Sequence, residues 1–389
     1  MTPSFAEPLA LYVHWPYCLS KCPYCDFNSH VRPAGEGRPL AASLRRELEA
    51  EAARLGPRRL SSIFFGGGTP SLMDAQWVAE LIAAACRLFP PEEEDALEVT
   101  LEANPTSVET GKLAAFRAAG VNRLSLGVQS LDEDTLRFLG RRHGAAEARA
   151  ALAAARAVFP RVSIDLIYAH PGQSVRAWRA ELDEALAFGL SHLSLYQLTL
   201  EPGTAFAARA ARGALVLPDA ETAARLYEVT LECTAKAGLA AYEVSNFAHP
   251  GAECRHNLTY WRYGEYLGIG PGAASRVRLG GTLHALSRHR SPERWRQAVE
   301  ESGLGIAEDE TLDPLTRARE ALLMGLRLAE GIDPDRFAAR TGLPLDAAID
   351  AEKCTALEAE GYVSRAGGRL RLTPAGRLRL DAVLTALCR

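Results

Sequence analysis

One pattern recurs through the first two hundred residues: a short apolar run, a turn of Gly, Pro or Asn, and then an alanine-rich amphipathic stretch. Strands are expected at Leu9–Trp15, Ser62–Gly66, Leu97–Ala103, Arg123–Gln129, Ser163–Tyr168 and His192–Leu200. Helical periodicity lies between them near 39–55, 74–89, 107–119, 145–158 and 174–189. Strict alternation of strand and helix implies parallel strands joined by right-handed crossovers. Six strands fall two short of a closed eight-stranded barrel, which leaves an open partial barrel or a doubly wound sheet. Polar or glycine motifs follow the end of nearly every strand: the cysteine loop, Gly66-Gly67-Gly68-Thr69-Pro70, Glu102-Ala103-Asn104-Pro105 and Gln129-Ser130. A rim contacted from several successive strands favours the barrel, because a doubly wound sheet gathers its site at one switch point. The expected fold class is therefore α/β, a partial (βα)6 barrel of the TIM type.

Beyond residue 201 the pattern changes. A helix is expected at Asp219–Ala237 and a strand at Ala241–Ser245, followed by an aromatic and glycine-dense segment from His256 to Gly272 and a hairpin over 276–286. Helices near 315–328, 333–340 and 345–360, two short strands about Gly367-Gly368 and a terminal helix read as a winged-helix-like module. The expected domains are 1–238 (barrel with flanking helix), 239–310 (α+β extension) and 311–389 (winged-helix-like). Winged helices often bind DNA. Here a packing role is favoured, because the chain carries a formal charge of -4 and four of its 44 basic residues are lysines. Arginine richness beside abundant alanine reads as codon bias, and no nucleic-acid partner is expected.

With 48% hydrophobic and 24% charged residues, the composition excludes global disorder. No eighteen-residue stretch is free of charge, and the N-terminus has no basic start or apolar core, so neither a spanning helix nor a secretory signal is read. The expected compartment is the reducing cytoplasm. Eight cysteines there do not form a disulfide scaffold. Cys86, Cys233, Cys254, Cys354 and Cys388 are scattered, as small buried hydrophobes are.

Cys18, Cys22 and Cys25 are different, since they place three thiolates on one short loop leaving the first strand. Such a set suits zinc or an iron–sulfur cluster. With His30 as fourth ligand it would be a closed structural zinc site. Three thiolates on a four-iron cluster leave one iron open to a substrate group. The flanking aromatics Tyr12, Trp15, Tyr17, Tyr24 and Phe27, and the glycine run one βα unit later, favour the cluster. Gly66-Gly67-Gly68-Thr69 alone is a tight turn; beside the cysteine loop it reads as close backbone approach to a ligand.

CxxxCxxC after a first strand, joined to GGGTP after a second, resembles the radical S-adenosylmethionine superfamily. The resemblance implies a [4Fe–4S] cluster on Cys18, Cys22 and Cys25, with S-adenosylmethionine (SAM) chelating the open iron and cleaved by one electron to a 5'-deoxyadenosyl radical. It also implies cofactor contacts. An acid ends the third strand (Glu102), a glutamine ends the fourth (Gln129), an arginine follows twelve residues later (Arg141), and an aspartate lies in the fifth (Asp165). Arg141 would pair with the cofactor carboxylate, Gln129 and Asp165 with the ribose hydroxyls, and Glu102 with the polar end. Gly67, Gly68, Thr69, Tyr12 and Tyr24 match further family contacts.

Within the superfamily the chain is similar to the oxygen-independent coproporphyrinogen III oxidase family, which holds decarboxylating oxidases and a group of haem chaperones, HemW. The oxidases carry a fourth cysteine where this chain has Phe27, and a longer segment before the first strand, where this chain has eight residues. Both differences point to the chaperone group, with the radical SAM oxidase as the alternative, and leave enzymatic activity open. His256-Asn257-Leu258-Thr259-Tyr260-Trp261 matches the HNxxYW signature of that group. By itself it reads as a packed aromatic turn with a hydrogen-bonded histidine. The resemblance makes His256 a haem contact, with Tyr260 and Trp261 against the macrocycle and Arg255 and Arg262 at the propionates. Ala169-His170 stands where the family usually has Gly-Leu, and Ala274 where a histidine often follows Gly-Pro-Gly-Ala, which makes His170 an alternative haem contact. The implied partners are haem, a haem-acceptor protein such as a membrane haem enzyme, an electron donor for the cluster, and a second copy in a homodimer.

Overall fold

The computed structural model of the chain describes residues 7–33, 37–91, 97–108 and 110–388. Strand β1 (Leu9–Trp15) is buried along nearly its whole length, as expected of a parallel strand covered on both faces. The short strands β2 (Tyr17–Cys18) and β3 (His30–Val31) pair in parallel and clamp the two ends of the cysteine loop. The repeat continues with β4 (Leu60–Gly67), β5 (Glu98–Ala103), β6 (Arg123–Gln129), β7 (Arg161–Tyr168) and β8 (His192–Gln197). Its helices are α1 (Arg38–Leu55), α2 (Ala75–Leu88), α3 (Thr110–Ala118), the short α4 (Glu133–Phe138), α5 (Ala145–Val158) and α6 (Val175–Ala187). In α5 the buried positions Ala145, Ala148, Ala151, Leu152 and Ala155 fall at helical spacing, and the Glu147 carboxylate accepts from the Gly144 N–H at 2.8 Å to close the first turn.

The strands run in the order β1-β4-β5-β6-β7-β8, all parallel, within a twelve-stranded sheet. The segment after α7 (Ala205–Ala211) and α8 (Ala220–Lys236) extends both edges of that sheet. Strands β9 (Ala240–Ala241) and β10 (Asn246–Ala248) add antiparallel beside β8, and helix α9 (Arg255–Trp261) follows. Strand β11 (Tyr266–Ile269) returns to lie parallel to β1, and β12 (Ala274–Leu279), β13 (Thr282–Arg288) and β14 (Ile306–Thr311) continue outward as antiparallel neighbours, with α10 (Pro292–Ser302) between the last two. β9 and β14 end the order without pairing, so the sheet stays open. Its curvature shows in what α9 and the turn before it touch: Ser62 of β4, Glu98 of β5 and Arg161 of β7 all bond to residues 252–256.

The remaining helices are α11 (Pro314–Gly325), α12 (Pro334–Thr341), α13 (Leu345–Ala348), α14 (Ala351–Ala359), α15 (Pro374–Arg377) and α16 (Leu380–Leu387), with the two-stranded wing β15 (Val363–Ser364) and β16 (Arg371–Leu372). They enclose a core of their own that includes Leu322, Phe337, Ile349, Val363 and Leu387.

Two expected elements divide. In place of one strand at Ala241–Ser245, β9 and β10 flank a turn built on Glu243, whose buried carboxylate accepts from Ser245 N, Asn246 Nδ2 and Arg327 Nη2. A carboxylate that must be satisfied inside holds the chain in a turn there. The helix expected over 345–360 breaks at Ile349, which bridges to Cys388, while Asp350 caps the next helix by accepting from Lys353 N.

Candidate functional site

The carboxyl ends of the parallel strands open onto one cavity of about 940 Å3. Cys18, Cys22 and Cys25 line it together with Tyr24, and Gly67, Gly68 and Thr69 join them from β4. Glu102, Gln129, Arg141 and Asp165 line it from the following units. The glycines are required by the backbone. A Cβ on Gly68 would stand 2.8 Å from the carbonyl carbon of Pro16 and from the Tyr17 oxygen, and Gly67 has φ 110°. Their N–H donors tie the two loops: Gly68 N to Trp15 O at 2.6 Å and Thr69 N to Tyr17 O at 2.9 Å. The Thr69 hydroxyl donates to Cys18 Sγ at 3.3 Å, and burial raises the pKa of the Cys18 and Cys25 thiols.

Glu102 is held by Gly67 N at 3.2 Å, and burial with the neighbouring Asp165 pushes its carboxyl up to about 8. Burial pushes Asp165 up to about 6, opposed by the Ser194 and Ser125 hydroxyls. Two carboxyls in one enclosed floor cannot both ionise freely. Gln129 has φ 70°, left-handed for a residue with a side chain, at the point where the β6–β7 register slips. That strain turns the strand end so that Gln129 reaches the cavity. Arg141 donates to Gly127 O at 2.9 Å, to Tyr24 Oη at 3.3 Å and to Cys22 Sγ at 3.4 Å, while its buried Nε has no partner.

Not every expected contact converges. Tyr12 faces a second cavity of about 610 Å3, which shares Phe27, Gly67 and Glu102 with the first, and its hydroxyl pairs with His14 Nδ1 at 3.0 Å. His256 lies at the opposite, amino-terminal end of the barrel strands. Nδ1 bonds Ser62 Oγ at 2.9 Å, Nε2 bonds Tyr260 Oη at 2.6 Å, its ring stacks on Phe64 at 5.0 Å, and burial lowers its pKa to about 3. Both nitrogens are hydrogen-bonded at the barrel floor, which is the arrangement of the packed-turn alternative for the motif. Arg262 is forked onto Glu330 at 2.7 and 2.9 Å, and Trp261 stacks under Arg327. His170 is half-buried outside the large cavity, its Nε2 3.4 Å from Thr135 Oγ1.

For the metal, the donor set decides the fit. Three thiols from one loop, beside a glycine run and an arginine with an unused donor, suit a cluster with an open iron and an anionic ligand. Among the described residues no three His, Cys, Asp or Glu side chains already gather around one point, which bears equally on zinc and on a cluster. Sequence reasoning missed Tyr196 of β8 and the stretch Arg377–Ala382 of the C-terminal module, which also line the cavity. Nothing in the local sequence signals that the wing's far side faces the barrel mouth.

Comparison with known proteins agrees with this geometry. Residues 12–185 match the family model of the radical SAM superfamily, and residues 312–379 that of the HemN C-terminal domain. The haem chaperone HemW of Mycobacterium tuberculosis is 38% identical over 395 residues, covering all of this chain and 96% of that one. HemW of Escherichia coli is 36% identical, covering 97% of each. The mouse mitochondrial radical S-adenosyl methionine domain-containing protein 1 is 46% identical over 329 residues, 83% of this chain and 74% of its own. The solved coproporphyrinogen III oxidase HemN of Escherichia coli shares the fold, with a TM-score of 0.80 at 23% identity over 97% of this chain and 89% of its own. Sequence motif, strand-end cavity and full-length similarity agree: the chain belongs to the radical SAM superfamily and, within it, to the HemW family.

Proposed function

We propose that the protein is a haem chaperone that carries a [4Fe–4S] cluster on Cys18, Cys22 and Cys25, binds SAM beside it, and passes haem to an acceptor protein. The observation that supports this reading most directly is the one cavity that brings the three thiols, the glycine run and the strand-end polar groups together, in a chain with Phe27 where the related oxidases have a fourth cysteine. When bound, the cluster supplies a single electron and an open iron for the cofactor's amino and carboxylate groups. The chain's own residues would do the positioning. Arg141, anchored on Gly127 O, offers its free Nε to the cofactor carboxylate. Glu102 and Asp165, their pKa values raised by burial, would hold polar hydrogens at the cavity floor, and Gln129 is already turned toward them.

Two measurements test the reading. Arg141→Ala should weaken SAM binding by about tenfold or more in calorimetry of the reconstituted protein, as expected for a lost charged hydrogen bond; unchanged affinity removes that role. Supplied anaerobically with SAM, a reductant and either haem or coproporphyrinogen III, the protein should bind haem with a shifted Soret band and release it to an apo-acceptor. Protoporphyrinogen formed with turnover would instead establish the oxidase.

A further inference from the structure

The two arginines expected at the haem propionates are not at the cavity. Arg262 is neutralised by Glu330, and Arg255 lies on the barrel-floor helix α9. A different set of arginines does reach it. Arg327, two residues past the end of α11, Arg377, the last residue of α15, and Arg379, just before α16, line the same cavity as the cysteines. Arg327 is fixed in place: it donates to Glu243 at 3.1 Å, and its guanidinium sits 4.6 Å from the centre of the Trp261 ring. Arg377 and Arg379 make no ion pair among the described residues. Arg379 lies over the Tyr362 ring at 5.2 Å, which supports its side chain without neutralising it. Helix α16 begins at this wall, and the side chain of its N-cap residue Arg379 accepts from none of its first N–H groups, which add to the positive potential. With Arg327 balanced by Glu243, Arg377 and Arg379 against Asp381 leave this wall with a surplus of one positive charge, while Leu378, Leu380, Ile167 and Leu198 supply apolar surface alongside.

We propose that the C-terminal module builds a carboxylate-binding wall into the cavity, in which Arg377 and Arg379, with Arg327 beside them, receive the two propionates of haem while the neighbouring apolar side chains meet the macrocycle. This rests on the haem reading for the identity of the ligand; the placement of the arginines does not. It gives the module a part in ligand recognition in addition to its packing. A planar guanidinium pairs with a carboxylate through two parallel N–H bonds, so two arginines that lack an ion pair among the described residues match a ligand with two carboxylates.

The test pairs a ligand change with a residue change. Haem and haem dimethyl ester, whose propionates are neutral, are titrated by absorbance against the wild type, Arg377→Met/Arg379→Met and Arg377→Lys/Arg379→Lys. The wild type should prefer haem to its ester by about tenfold or more, the methionine variant should bind haem as weakly as the ester, and the lysine variant should keep part of the preference. A preference for haem that survives in the methionine variant, or an equal loss for both ligands, overturns the proposal. So does a fall in SAM affinity with the haem preference intact, which would assign the arginines to the cofactor's own carboxylate. A wild type that binds both porphyrins equally defeats the wall alone. One that binds neither defeats the haem reading beneath it.

Discussion

His256 illustrates how a motif residue is used when both of its ring nitrogens are committed to neighbours. Ser62 and Tyr260 hold it, Phe64 covers its face, and it is 1% exposed. His256→Ala should cost about 2–4 kcal/mol in chemical denaturation, from the cavity and the two hydroxyls left unpaired. A loss below half a kcal/mol would mean that the residue is not a floor element. The pH sign follows from its lowered pKa. The folded state keeps the ring neutral down to about 3, whereas the unfolded chain protonates near 6.5. The stability it contributes is therefore full above pH 6.5 and lost as pH falls through that window. The gap between wild type and His256→Gln should narrow from pH 7 to pH 5. Ala169 makes a second residue-scale point. Its φ of 61° is a conformation that glycine adopts more freely than alanine, and Gln173 Oε1 accepts from its N–H at 2.6 Å.

Between elements, the decisive joints are a glycine run and a buried carboxylate. Gly68→Ala would press a methyl group into the backbone at Pro16 and Tyr17, the strand end from which the cysteine loop departs. Overpacking of this kind costs about 1–3 kcal/mol and shifts backbone. Iron and sulfide per chain after anaerobic reconstitution should fall well below the wild type, and equal loading would show that the loop tolerates the shift. On α1, Glu47 and Glu51 are wholly buried against Arg288 of β13, at 3.0 and 2.6 Å. Glu47 also accepts from Trp295 Nε1, Gly270 N and Gly305 N, so one carboxylate ties the first helix to the extension. Arg288→Met would leave Glu47 without its cation and Glu51 with only Arg54, at 3.5 Å. A loss of about 3–5 kcal/mol is expected in urea denaturation.

At the scale of the molecule, the C-terminal module is joined to the rest by polar contacts, and it borders the cavity. Glu320 accepts from Tyr263 and Arg276, and Glu330 from Arg262. A ligand that fills the cavity touches walls from both parts and should stabilise them together. SAM at a hundredfold excess over its dissociation constant should add about 2.7 kcal/mol to the reconstituted protein. Limited proteolysis should then show slower cleavage within 312–388 as well as in the barrel. Protection confined to the barrel would show that the module does not sense the cavity.

The six parallel strands were legible because each is a local apolar run bounded by turn residues, and β1 and β6 coincide with the expected ranges. The cysteine triad and the strand-end motifs were legible because their spacing carries their chemistry, and all but Tyr12 and His256 reach one cavity. What local pattern could not carry was contact between residues distant along the chain. Arg377 and Arg379 line one cavity with thiols some 350 positions away, and His256 packs against Ser62 at the start of a strand nearly two hundred residues earlier. Periodicity records which side of an element is buried, but not which element buries it. That pairing is settled only when the open sheet curves, its floor is plugged and its mouth is walled by a second core.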